Sequence, residues 1–292
     1  NPVAVLINKA MIEIPPKFAG MPPVNPDWQS KSNAEKAILG PWKGSKGLAE
    51  DVHYYANWMR DEAEKRIGRL YPKVEVTDEI AKGRPDLKKY VGQKLTIIAW
   101  LWARTVKSPN PAFSQVDVPL AASFVLSKKT GKEVYVEPVL FDGDYRFAMK
   151  TGKSKDPSVT NGTKLSRGAN FRCIMSNMPI SSAHIYGEAK AGRMGARLMA
   201  MVAEGDRERV YLPPTPEMES IAFTARSEWK PTLEMPENPR WFSPPLYGLK
   251  TYGELFTERQ VLTLTTFSEL IENVRVLVKN AANDAGLAGD KR

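Results

Sequence analysis

Two short turns, far apart in the chain, constrain this sequence more than any other feature. The first, Ser108-Pro-Asn-Pro-Ala-Phe113, closes an apolar run, and the second, Arg172-Cys-Ile-Met-Ser176, leads into Glu188-Ala-Lys-Ala-Gly-Arg-Met-Gly-Ala-Arg197. Paired turns that each open a β segment are the layout of a zinc ribbon, which needs about four Cys or His ligands and draws folding free energy from its metal. Here Cys173 is the single cysteine of the whole sequence. A chain with this layout and one thiol must hold its turns together by packing, and Phe113 is the type of residue that fills a vacated centre. The same residues also read as two ordinary turns and one buried structural cysteine.

Around the turns the pattern is β-like. Residues 94–106, Lys-Leu-Thr-Ile-Ile-Ala-Trp-Leu-Trp-Ala-Arg-Thr-Val, are rich in β-branched and aromatic types without a helical stripe, which predicts a largely buried strand ending at the first turn. The runs 118–126 and 133–139 flank Ser127-Lys-Lys-Thr-Gly-Lys132 and read as a hairpin with a lysine-rich tip, and 145–149 offers a third strand. Residues 151–168 are polar and Gly-containing, and read as a mobile loop. Residues 188–205 carry Lys190, Arg193 and Arg197 among Ala, Leu and Met, which predicts a basic helix with Arg193 and Arg197 on one face.

The flanks read as helical. The run 3–14 has a helical stripe and is expected to stop before Pro15-Pro16, and Asn33 falls in a short helix near 32–39. Leu48, Val52, Tyr55, Met59, Ala63, Ile67 and Leu70 recur every three or four residues, giving an amphipathic helix over about 47–70. Thr257 followed by Gln260 is a capping box opening a long helix, whose tail over 280–292 is expected to fray. His53 has no ligand partner at metal spacing, and His184 with Cys173 leaves a zinc underligated. Ser243-Pro-Pro-Leu246 has Leu where an amino-methylating motif has an aromatic, so no catalytic residue is assigned there.

No apolar run is long enough to span a membrane, and the N-terminus has no signal-peptide pattern, so a cytoplasmic protein without membrane contact is expected. Forty-two Lys and Arg against 33 Asp and Glu give a net charge of +9. That excess fits either an anionic partner, nucleic acid above all, or a merely solvated basic surface.

Several strings in order, Asn1-Pro-Val-Ala-Val-Leu-Ile-Asn-Lys-Ala10, Ile14-Pro-Pro-Lys-Phe-Ala-Gly20, Leu48-Ala-Glu-Asp51, Leu95-Thr-Ile-Ile-Ala-Trp-Leu-Trp-Ala-Arg-Thr-Val-Lys107, Glu188-Ala-Lys-Ala-Gly-Arg193 and Arg209-Val-Tyr-Leu-Pro-Pro214, extend over nearly the whole chain. Together they resemble the middle of the large adenine-specific DNA methylases with a zinc-ribbon-like insert, found in prokaryotes and associated with anti-phage systems. The resemblance places Ser108, Phe113, Cys173 and Ser176 at the four knuckle positions, three of which lack a ligand, so it implies no zinc. It implies a Gly-rich S-adenosylmethionine loop and an acidic residue before Asn1 and Pro2, the two residues expected at the cofactor's edge. It also implies an Asp-Pro-Pro-Tyr motif beyond residue 292, so the chain is expected to be an internal fragment, inactive alone, working with the rest of the methyltransferase.

The expected class is α+β: a small antiparallel zinc-ribbon-like β insert flanked by amphipathic helices, part of an α/β Rossmann-like methyltransferase. The expected divisions are a helical segment over 1–92, the insert with its basic helix over 93–212, and a Pro-rich linker with a long helix over 213–292. DNA is the expected partner, contacted by Lys128, Lys129, Lys132, Arg167, Lys190, Arg193 and Arg197. A non-catalytic nucleic-acid-binding module and a structural scaffold are the alternatives.

Overall fold

The computed structural model describes residues 1–236 and 242–287, which divide into two compact units. One comprises Asn1–Arg69 with the stretch beginning at Thr263, and the other Leu70–Leu262. Helices and strands are mixed, and every strand pairing is antiparallel.

The first unit is helical. Its N-terminal helix Pro2–Asn8 does not stop before the proline pair: a π-helical turn, Lys9–Glu13, carries it into Ile14–Lys17. The reason is steric, because a proline ring clashes with the carbonyl four residues back, and the wider turn, in which the Ile14 N–H donates to the Lys9 carbonyl, moves that carbonyl away. Ser32 caps Asn33–Ile38 through a reciprocal pair with Glu35. The helix Lys46–Ile67 buries Tyr55, Ala63 and Ile67, while Val52 on the expected apolar face stays exposed. Asp51 on that helix accepts from the Val24 and Asn25 N–H groups at 2.8–2.9 Å, pinning the irregular segment before it. Arg66 pairs with Glu269 at 3.6 Å within the unit.

In the second unit β1 (Val74–Glu75) pairs β2 (Lys94–Leu95), which runs into β3 (Ile97–Lys107). β4 (Asp117–Pro119), β5 (Val125–Ser127), β6 (Val134–Phe141) and β7 (Asp144–Thr151) come next. After β8 (Phe171–Arg172) and β9 (Pro179–Ile180) come β10 (Gly195–Glu204) and β11 (Arg209–Leu212). They form a sheet of order β11-β10-β3-β4, a sheet of order β5-β6-β7, and the pair β8-β9. The long strand ending at the first turn and the third strand at 144–151 match the sequence pattern. The run 118–126 does not form one strand: its start pairs with β3, and only Val125–Ser127 makes the lysine-tipped hairpin with β6.

The basic helix expected over 188–205 is not formed. The helix Ser182–Lys190 ends in a Schellman cap, with the Gly192 N–H on the Ala189 carbonyl and the Arg193 N–H on the Glu188 carbonyl, and Gly192 takes φ +72° as that cap requires. Beyond the cap the chain enters β10, the central strand between β3 and β11, in which Arg197 pairs with Ala103. Ala, Leu and Met favour helix locally, but a strand with partners on both edges gains more than propensity withholds. Leu198 and Met201 lie an odd number of residues apart yet face one core, because a register shift between Leu198 and Ala200 resets the alternation.

Two cores result. One gathers Val106, Val118, Phe124, Val136, Tyr145 and Phe147 with Phe171, Cys173 and Ile180 of the second turn and its flanking strands. The other gathers Val76, Leu87, Tyr90, Ile97, Leu198, Met201 and Leu212. The segment 151–168 is not a bare loop either: it holds the helix Pro157–Asn161, and Thr163 is 2% exposed. Thr163 donates from Oγ1 to the Pro119 carbonyl at 2.6 Å and accepts there from the Ala121 N–H at 3.0 Å, which fastens the segment to β4. Residues 237–241 of the expected Pro-rich linker and 288–292 of the expected frayed tail lie outside the described residues.

Candidate nucleic-acid interface

The first and second turns meet. Ser108 Oγ lies 3.3 Å from Cys173 Sγ, although the residues are 65 positions apart, and they are 4% and 1% exposed. Burial raises the Cys173 thiol, but hydrogen bonds from the Ser108 and Ser176 hydroxyls and from the Ser176 and Met175 backbone outweigh it and leave the thiol below its ordinary value. Phe113 packs half-buried against the same core. His184 is occupied elsewhere, its Nε2 2.9 Å from the Lys107 carbonyl at the end of β3. Among the described residues no group of three or more His, Cys, Asp and Glu is arranged to hold a metal ion.

The seven cations singled out from the sequence lie on several separate elements. Arg197 lies on β10 with its guanidinium 4.5 Å over the Tyr145 ring and 3.3 Å from Asp144, so it is a packing residue of the core edge. Burial of the Tyr145 hydroxyl, which donates to the Asp117 carbonyl at 2.6 Å, pushes its pKa well above the ordinary phenol value. Arg193 forks on Glu188, with bonds of 2.6 and 3.0 Å, and Lys190 ends the neighbouring helix. Arg167 sits in the exposed bend between Lys164 and Asn170. Asn1 caps the first helix, its side chain accepting from the Val3 N–H at 3.0 Å, with Pro2 at the first helical position.

Lys128, Lys129 and Lys132 do come together, in a cleft of about 1020 Å³ between the β5–β6 hairpin tip, the β10–β11 turn and the 3-10 turn Pro85–Tyr90. The β10–β11 turn adds Arg207 and Arg209, which the sequence reading missed. Three carboxylates also line the cleft, and each is engaged. Asp86 forks with Arg84 at 2.7 and 2.9 Å, and Glu133 faces Lys153 at 3.9 Å. Glu208 accepts from Lys132, from Lys89 at 2.7 Å and from the Tyr90 hydroxyl at 3.1 Å. The Lys132 bond, then the Lys89 bond, hold the Glu208 carboxyl down at about 2. No ion pair among the described residues engages Lys128, Lys129, Arg207 or Arg209. Arg84, 4% exposed, is neutralised by its fork with Asp86 and also donates to the Tyr211 carbonyl at 3.0 Å, while its Nη1 has no hydrogen-bond partner.

Arg207 holds φ +53°, a left-handed conformation that costs a non-glycine residue about 1 kcal/mol. Strain of this sort in a turn lining a cleft points toward function. A second cavity, of about 560 Å³ in the first unit, is lined by Val24, Tyr55, Val274 and other apolar groups, and its carboxylate Asp51 is already consumed by backbone N–H groups. The cationic cleft is therefore the site whose chemistry is most defined. No family model, curated protein or solved structure matches the chain. No helix among the described residues is long and apolar enough to cross a membrane.

Proposed function

We propose that this chain is the insert and target-contacting part of an S-adenosylmethionine-dependent adenine-specific DNA methyltransferase, with a degenerate ribbon and a cleft that grips DNA phosphates. The observation that carries the reading is the meeting of the two turns. The resemblance requires positions 108, 113, 173 and 176 to converge, and Ser108 and Cys173 stand 3.3 Å apart with Ser176 bonded beside them. The cleft supports the DNA contact, since Lys128, Lys129, Arg207 and Arg209 present cations that no ion pair engages among the described residues. Such groups position a polyanion and carry little sequence information.

The test is a fluorescence-anisotropy titration of labelled DNA with the chain between about 50 and 200 mM salt. Binding should weaken with a log–log slope of about −0.7 to −0.9 per phosphate contact and vary little among sequences. Absence of saturable binding at low salt sinks the reading. A titration with S-adenosylmethionine should give no saturable heat for this chain alone; micromolar binding, or methyl transfer to adenine, would show that the cofactor site lies within it.

A further inference from the structure

The cleft is more specific in shape than a basic patch. Its cations stand on the hairpin tip and the β10–β11 turn, while half-buried Leu126 and Tyr211 lie among the lining residues. Its volume of about 1020 Å³ falls at the upper end of small-ligand sites, about 300–1,000 Å³. That space holds a few nucleotides of one strand. A duplex can meet the exposed side chains of Lys128, Lys129 and Arg207 with its phosphates, but it keeps its bases stacked in pairs. An unpaired strand offers phosphates to the cations and base faces to apolar and aromatic side chains, the pairing of groups that single-strand sites use.

We propose that the cleft between the β5–β6 tip and the β10–β11 turn binds a single unpaired DNA strand in preference to duplex. This rests on the reading of the chain as a DNA-contacting protein and adds the form of DNA. Glu208 is the built-in competitor: within the lining its carboxylate occupies Lys132, and it also holds Lys89, which stands outside that lining. A strand therefore has to compete with Glu208 for Lys132. Removing that charge should strengthen binding without adding any contact.

The experiment compares a labelled twelve-nucleotide single strand, a hairpin duplex of the same sequence and the equivalent RNA, each titrated with the whole chain at low salt. The single DNA strand should bind at least about tenfold more tightly than the duplex. Its salt slope should be about −0.7 per contact. Changing Lys128 and Lys129 to Ala together with Arg207→Gly should lower single-strand affinity at least tenfold. Glu208→Gln, which keeps the shape and the hydrogen bond to Tyr90, should raise it several-fold, and the thermal midpoint of each variant reports whether it is folded. Equal or tighter duplex binding overturns the single-strand inference while leaving the DNA reading intact. Tighter RNA binding overturns the assignment to DNA. Single-strand binding that the folded triple variant and Glu208→Gln both leave unchanged overturns the cleft as the site, and failure of all three nucleic acids to bind overturns the DNA reading itself.

Discussion

Glu208 sits at the junction of Lys132, Lys89 and Tyr90, and a carboxylate so placed is ionised down to about pH 2. Its folded pKa lies below its unfolded value, so its contribution to stability is fully present above about pH 4.5 and lost as pH falls through about 2. The pairs are partly solvated, which limits that contribution to about 1 kcal/mol. Denaturant unfolding should show Glu208→Gln less stable than the parent at pH 7, with the gap closing between pH 4.5 and 2. A gap independent of pH would mean that the side chain acts through packing. Arg197 argues the other way from its sequence reading. Its guanidinium over Tyr145 and beside Asp144 makes Arg197→Ala cost about 1–2 kcal/mol. An unchanged midpoint with weaker DNA binding would return Arg197 to the interface. At this scale the sequence reveals the identity of a cation but not its neighbour. Lys128 and Lys129 were findable because they crowd one hairpin tip, whereas Arg207 and Arg209 join them only through the β10–β11 pairing.

At the scale of elements, termination signals decide more than propensity does. Gly192 ends a helix whose sequence would otherwise continue, and the next residues become the centre of a sheet. Gly162 shows a stronger constraint. It holds φ +59°, and a Cβ there would stand 2.3 Å from the Ala121 carbonyl oxygen, between the helix Pro157–Asn161 and the Thr163 clamp. Gly192 has open space around it. The two substitutions should therefore separate by mechanism: Gly192→Ala should cost about 1 kcal/mol of backbone strain, and Gly162→Ala about 3 kcal/mol or more from strain and collision together. Equal losses in denaturant midpoint would contradict the clamp. The strands that alternate, such as 144–151, were legible from period two, and the helix 46–67 from its apolar spacing. β10 was not, because Ala, Met and Leu carry no β signature and only its two partner strands specify it. The helix in 157–161 was equally hidden, its one buried apolar residue being Val159.

For the whole molecule, the question is what holds the two turns together where they meet. A structural zinc supplies an apparent binding free energy of roughly 10–16 kcal/mol. The core that contains Cys173 also contains Val106, Val118, Phe171, Ile180 and Ile185, each under a tenth exposed. Burial of such side chains is worth about 2 kcal/mol apiece, so the five together supply the lower end of that range. The backbone bonds from the Ser108 N–H to the Val116 carbonyl, 3.1 Å, and from the Cys173 N–H to the Met178 carbonyl, 2.8 Å, close each turn on itself, and the Ser108–Cys173 contact joins the two. Stability placed in apolar packing does not respond to chelators. Excess EDTA should leave the thermal midpoint of the purified chain unchanged, and elemental analysis should find no stoichiometric zinc. Ile180→Ala should by contrast lower stability by about 2–4 kcal/mol, as a cavity at a fully buried site does. A full equivalent of zinc that survives dialysis, or a midpoint that collapses with chelator while Ile180→Ala is mild, would place the stabilising free energy in a metal and refute packing as its source.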